Sequence, residues 1–151
     1  MKVKIKKLDA IAQIPKYSKE SDAGMDLVAI SKNETNDYIE YGTGLAMEIP
    51  EGYVGLIFPR SSISNHDLVL SNSVGVIDSG YRGEVKARFK IQKTPNGLEM
   101  MVGGMIRPTL YEVSDKIAQI IIVPYPKVEF EVVEELNESA RGAGGFGSTG
   151  K

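Results

Sequence analysis

The strongest pattern along the chain is alternation with a period of two. Glu84, Lys86, Arg88 and Lys90 interleave with Val85, Ala87, Phe89 and Ile91, the pattern of a strand with one face in a core and the other in water. Residues 2–6 and 128–132 alternate likewise and are expected to be strands. Residues 117–123 form an apolar run broken only by Ala118 and Gln119, the composition of a strand covered on both faces, so Gln119 needs a polar partner. Turn residues punctuate these runs at Ile14-Pro15, Tyr41-Gly42, Ile49-Pro50-Glu51-Gly52, Pro95-Asn96-Gly97, Gly103-Gly104 and Pro124-Tyr125-Pro126. No apolar stripe persists at a spacing of ~3.6 residues, which leaves room for one short helix at most, just after Pro59-Arg60. The expected fold is all-β, a sandwich or jelly roll of many short strands without internal repeats.

Composition narrows the function classes. A chain of 151 residues with 42% apolar and 25% charged positions suits one soluble domain with a real core. The N-terminus alternates lysines with single apolar residues, so no secretory leader is expected, and no run has the length of a membrane span. The absence of cysteine excludes disulfides and thiolate metal sites and is compatible with a cytoplasmic location. A net charge of −2 gives no electrostatic footprint for nucleic acid. A polyanionic ligand must then be met by local cations, with Arg60, Arg82 and Arg141 as candidates, or by a metal ion. The single histidine, His66, reads as a solvated loop residue rather than a catalyst.

Two segments carry candidate chemistry. The C-terminal residues 141–151 are too rich in glycine to bury a core, yet they hold Arg141, Phe146, Ser148 and Thr149. Glycines such as Gly145 and Gly147 free backbone N–H groups to face an anion, so the segment reads as an arm that folds over a phosphorylated ligand; a plain tail is the alternative. In residues 72–84, Asp78 and Tyr81 flank Ser79-Gly80 between strand-like runs, as at a hairpin tip, with an Asx turn as the plainer role for Asp78. Arg60-Ser61-Ser62 follows a strand-like run and could be no more than a capped strand end.

Together these segments resemble the trimeric dUTPase family. Five motifs stand in family order: Ala23-Gly24-Met25-Asp26-Leu27, Pro59-Arg60-Ser61-Ser62, residues 72–84, Asp115-Lys116-Ile117-Ala118-Gln119, and the arm. The resemblance implies a jelly-roll-like β-barrel over residues 1–140, assembled as a homotrimer, with a flexible arm over residues 141–151. The activity it implies is hydrolysis of dUTP to dUMP and pyrophosphate, which limits uracil incorporation into DNA and supplies dUMP. Asp78 would be the general base for the attacking water, and Tyr81 would pack on the deoxyribose and leave no room for a 2′-hydroxyl. Asn72 and main-chain groups of residues 73–77, including Gly75, Val76 and Ile77, would read uracil. Arg60, Ser61, Ser62 and Gln119 would line the phosphate path. Arg141, Gly145, Phe146, Gly147, Ser148 and Thr149 would close from a neighbouring subunit, and Asp26 would hold Mg²⁺ indirectly, through water.

The chain departs from the family at several points. Ser62 and Ser114 stand where glycine is usual, the loop from Ser62 to Asn72 is about a residue short, and the connection from Gln92 to Ser114 is long. That long connection is a candidate surface for a regulatory protein partner. A related dCTP deaminase shares an Arg-Ser-Ser motif, but Asp78-Ser79-Gly80-Tyr81 and Phe146 argue for the dUTPase.

Overall fold

The computed structural model describes residues 1–92 and 109–145, and the fold over them is all-β. The strands are β1 (Lys4–Lys7), β2 (Met25–Val28), β3 (Ser31–Glu34), β4 (Ile39–Glu48), β5 (Tyr53–Phe58), β6 (Leu68–Leu70), β7 (Gly75–Ile77), β8 (Glu84–Ile91) and β9 (Lys116–Pro124). One five-stranded sheet runs β1-β4-β8-β6, with β3 also paired to β4; a four-stranded sheet runs β2-β9-β5-β7. Every pairing is antiparallel. The short helix expected after Pro59-Arg60 is a single 3-10 turn, Ser61–Asn65. No helix among the described residues is long and apolar enough to cross a membrane.

Alternation places the core between the two sheets. Val85, Ala87 and Phe89 of β8 point inward beside Tyr41, Leu45 and Met47 of β4, and meet Leu27, Ile57, Ala118 and Ile120 of the smaller sheet. Glu84, Lys86, Arg88 and Lys90 point outward, as the sequence predicts.

Three strand expectations need correction. Residues 128–132 form no strand among the described residues: Phe130 is 91% and Val132 97% exposed. Pro124 and Pro126 lack N–H donors, so the ladder of β9 ends there and the chain leaves the sheet. Only the first half of residues 117–123 is covered on both faces. Ile117, Ala118 and Ile120 are buried, whereas Ile121 and Val123 are half-buried on an outer face that no layer of the described residues covers. The segment around Asp78 is not a hairpin tip, because β7 pairs with β5 in one sheet and β8 with β4 and β6 in the other. It is a crossover between the layers, and pairing of β7 with a strand distant in sequence is what turns a local hairpin into a sheet-to-sheet corner.

Candidate active site

The crossover at residues 78–83 forms one wall of a cleft of about 460 Å³. Asn72, Gly75, Val76, Ile77, Asp78 and Tyr81 line it, so six residues expected to handle base, sugar and water are brought together. β7 lies at the edge of its sheet, where main-chain groups on its free side remain available to a ligand. Such a free edge can pair with a ligand that presents hydrogen-bond donors and acceptors along one side. Tyr81 N–H donates to the Asp78 carbonyl at 3.0 Å and its hydroxyl to the Glu84 carbonyl at 3.0 Å, which ties the ring to the corner.

Sequence reasoning missed the opposite wall. Glu40, Glu84, Lys86 and Arg88 also line the cleft, with Glu40 bonded at 2.8 Å to both Lys86 and Arg88. These two hydrogen bonds hold the Glu40 carboxyl below the usual range. The charged positions of β8 were visible in the sequence, but their alternation reads only as a solvated face. Arg82 is turned back on the crossover through one nitrogen: its Nη1 donates to the carbonyls of Ser79 and Tyr81 at 2.6 and 2.9 Å.

Arg60, Asp26 and Gln119 cluster elsewhere. Asp26 faces Gln119 across the β2–β9 ladder and Gln119 faces Phe58 across β9–β5, so the three strands bring them to one row just before Arg60. Arg60 Nε and Lys116 Nζ each meet an Asp26 oxygen at 2.8 Å. Burial pushes the Asp26 carboxyl up, but the Lys116 hydrogen bond and the Arg60 charge outweigh it and hold the group below its ordinary value. The Gln119 amide already has a partner, donating to the Pro59 carbonyl at 3.2 Å. Gly24 leaves the space that its Oε1 occupies, since a Cβ there would lie 2.6 Å from that oxygen.

Ser61 is exposed at the start of the 3-10 turn, and Ser62 Oγ accepts from Arg60 Nη1 at 3.3 Å. Arg60 and Ser62 line a second hollow of about 380 Å³ with His66, Tyr111, Ser114, Asp115 and Lys116, and it shares no residue with the first. His66 is therefore not a plain solvated residue: its ring lies 4.0 Å from that of Tyr111 and its Nδ1 is 3.0 Å from the Ser62 carbonyl oxygen. Ser114 has φ +80°, which explains the glycine expected at this position.

The two groups lie far apart within one chain. Ile77 faces Gly55, and Arg60 is five residues beyond Gly55. At ~3.3 Å per residue, the 60–62 turn is roughly 16 Å from where Asp78 leaves the sheet.

Among the described residues no three His, Asp or Glu converge as metal ligands. Asp26 is one carboxylate between two cations, a net positive setting that disfavours direct ligation of a divalent ion and suits a polyphosphate. Its free lone pairs fit the water shell of an ion that arrives with phosphates. Exposed Arg141 donates to the Gly144 carbonyl at 2.9 Å, and Gly145 is the last described residue of the arm; Phe146, Gly147, Ser148 and Thr149 lie outside the described residues. Most of the 92–114 connection does too.

The family model described as dUTPase matches residues 2–95 and 100–150. This chain belongs to the dUTPase family. A deoxyuridine 5'-triphosphate nucleotidohydrolase of Nautilia profundicola is 41% identical over 154 residues, covering 100% of each chain. A Staphylococcus bacteriophage 80alpha dUTPase solved with dUpNHpp superposes with a TM-score of 0.80 at 31% identity, over 99% of each chain; it is described as acting by a proto-oncogenic G protein-like mechanism in the control of virulence-gene transfer. A mutant dUTPase from phage phi11 of S. aureus, solved with attention to a structural Mg(II) ion, has a TM-score of 0.72 at 28% identity and covers 91% of this chain and 100% of its own.

Proposed function

We propose that the protein hydrolyses dUTP to dUMP and pyrophosphate by attack of water on the α-phosphorus, in sites assembled between the subunits of a jelly-roll homotrimer. One observation carries the reading: Asn72, Gly75, Val76, Ile77, Asp78 and Tyr81 line one cleft while Arg60, Asp26 and Gln119 lie at the far end of the same sheet. Neither half is a complete site, and a second chain would bring the missing half to each. The outer face of the smaller sheet supports this assembly. Val76, Leu56 and Ile121 form one apolar row across it, and Val54 and Val123 a second, with no layer over them among the described residues. The exposed alternation of residues 128–132 adds a segment with strand character and no partner among the described residues.

In this reading the Asp78 carboxylate accepts the proton of the attacking water. The Tyr81 ring, fixed by its bond to Glu84, packs on the sugar and excludes a 2′-hydroxyl. Asn72 and the free edge of β7 pair with uracil. Arg60, Ser61, Ser62 and Gln119 of a neighbouring chain orient the phosphates, and Lys116 and Arg60 keep Asp26 ionised beside them. Asp26 would hold, through water, an Mg²⁺ arriving with the triphosphate, and that ion would supply neutralising charge. Residues 141–151 act as a separate arm: Arg141 and the main chain at Gly145 and Gly147 meet phosphate, Phe146 caps the base, and Ser148 and Thr149 add donors.

The test is incubation with dUTP, dCTP, dTTP and UTP in the presence of Mg²⁺, with products identified. dUMP and pyrophosphate from dUTP alone support the reading; ammonia release from dCTP contradicts it. A regulatory role beside turnover is a second reading, favoured by what is described for the phage 80alpha protein. A partner captured through residues 92–114 and indifferent to Asp78 would support it.

A further inference from the structure

Ser62 departs from the glycine usual at its position, and its surroundings give the departure a use. Tyr111 is 2% exposed, and its ring is fixed edge-on to Tyr41 and Phe89, with centroids 6.1 and 5.7 Å away. Tyr41 Oη donates to the Tyr111 carbonyl at 2.8 Å, anchoring the main chain as well. Burial pushes the Tyr41 phenol up to about 12, so it keeps the proton that it donates.

The Tyr111 hydroxyl itself is buried and has no hydrogen-bond partner among the described residues. Burial raises its pKa and the nearness of Ser62 pulls it part of the way back, but the geometry falls short of a bond. Leaving a buried donor unpaired is costly. Ser62 Oγ meanwhile accepts from Arg60 Nη1, at a long 3.3 Å. On the far side of the turn, His66 Nδ1 faces the Ser62 carbonyl oxygen, so the ring carries its proton on Nδ1 and donates there while stacking on Tyr111.

We propose that Tyr111 and His66 are positioning residues for the phosphate-binding turn, and that Ser62 passes its hydroxyl from Arg60 to Tyr111 when Arg60 turns to the triphosphate. The proposal rests on the reading of Arg60 as a phosphate ligand. In the free protein Asp26 holds the guanidinium at Nε, Ser62 takes one N–H of Nη1, and Tyr111 waits unpaired among the described residues. In the loaded site Arg60 bonds phosphate, Ser62 Oγ accepts from Tyr111 Oη, and the unpaired donor is satisfied. His66 holds the main chain of the turn still, so that only side chains move. Substrate binding thus gains a hydrogen bond that touches no substrate atom.

Steady-state kinetics on dUTP and melting with and without a nonhydrolysable dUTP analogue test this in the wild type, Tyr111→Phe, Ser62→Gly and the double variant. Tyr111→Phe removes only an unpaired hydroxyl, so the free variant should melt no lower than the wild type. Its KM should nevertheless rise roughly two- to tenfold, the worth of one hydrogen bond, with kcat little changed and a smaller analogue-induced gain in Tm. Ser62→Gly should raise KM similarly, and the double variant should be no worse than either single one. His66→Asn, which keeps a donor near Nδ1, should hold KM closer to the wild type than His66→Ala. An unchanged KM in Tyr111→Phe, or single effects that multiply in the double variant, would overturn the proposal. If the wild type fails to turn over dUTP, the reading of Arg60 falls first and the proposal with it.

Discussion

Asp26 shows how much one ion-paired carboxylate determines. Its folded pKa lies below the ordinary 3.8 because Lys116 and Arg60 outweigh its burial. A lowered folded pKa means that the stabilisation is present above the unfolded value and is lost as pH falls through the folded one. The Tm advantage of wild type over Asp26→Asn should therefore be full near pH 6 and shrink as pH drops below about 4. A constant difference from pH 7 to pH 3 would show that the pairs contribute nothing. Ser114 gives a second prediction at this scale. Its left-handed φ of +80° costs a non-glycine residue about 1–2 kcal/mol, against about 0.5–1 kcal/mol of extra backbone entropy lost by glycine. Ser114→Gly should stabilise the protein by roughly 0.5–1 kcal/mol in chemical denaturation; a destabilised variant would mean that the Ser114 side chain has a role of its own. Tyr81→Ala should erode the preference for dUTP over UTP by opening room for the 2′-hydroxyl, and an unchanged ratio of kcat/KM values would place sugar recognition elsewhere.

At the scale of elements, legibility followed locality. β8 could be read residue by residue because its period-two pattern is set by a core on one side and water on the other. The 3-10 turn after Arg60 was legible from the break in pattern alone. The crossover at residues 78–83 was not, because what distinguishes it from a hairpin is the pairing of β7 with β5, a contact between distant stretches that leaves no local mark. Residues 128–132 carry a true strand pattern without a strand, since alternation records a tendency to pair and not the identity of the partner. Tyr111, His66 and Lys116 were equally hidden: each matters through a neighbour brought in by the fold. The arm is the element whose role the account specifies most sharply. Removal of residues 141–151 should leave a folded protein with little turnover, because these residues are proposed to complete the site, and none of the described ones, 141–145, belongs to the core. Full activity after truncation would reduce the arm to a tail.

For the whole molecule, the separation of Asp78 from Arg60 is the fact to explain. Asp78 and Arg60 flank opposite ends of β5, and the apolar outer rows of the smaller sheet offer a surface through which a second chain could bring the missing half. An assembly of this kind can be tested by complementation. Asp78→Asn and Arg60→Ala should each be inactive alone, one lacking the proposed base and the other the proposed phosphate ligand. Chains of the two variants, mixed equally and allowed to reassemble, should recover about a quarter of the wild-type dUTP turnover, because a site works when Asp78 comes from one parent and Arg60 from the other. Recovery near that level is the result the account predicts. No recovery from a mixture that demonstrably exchanges subunits would contradict it, and would return both residues to a single chain.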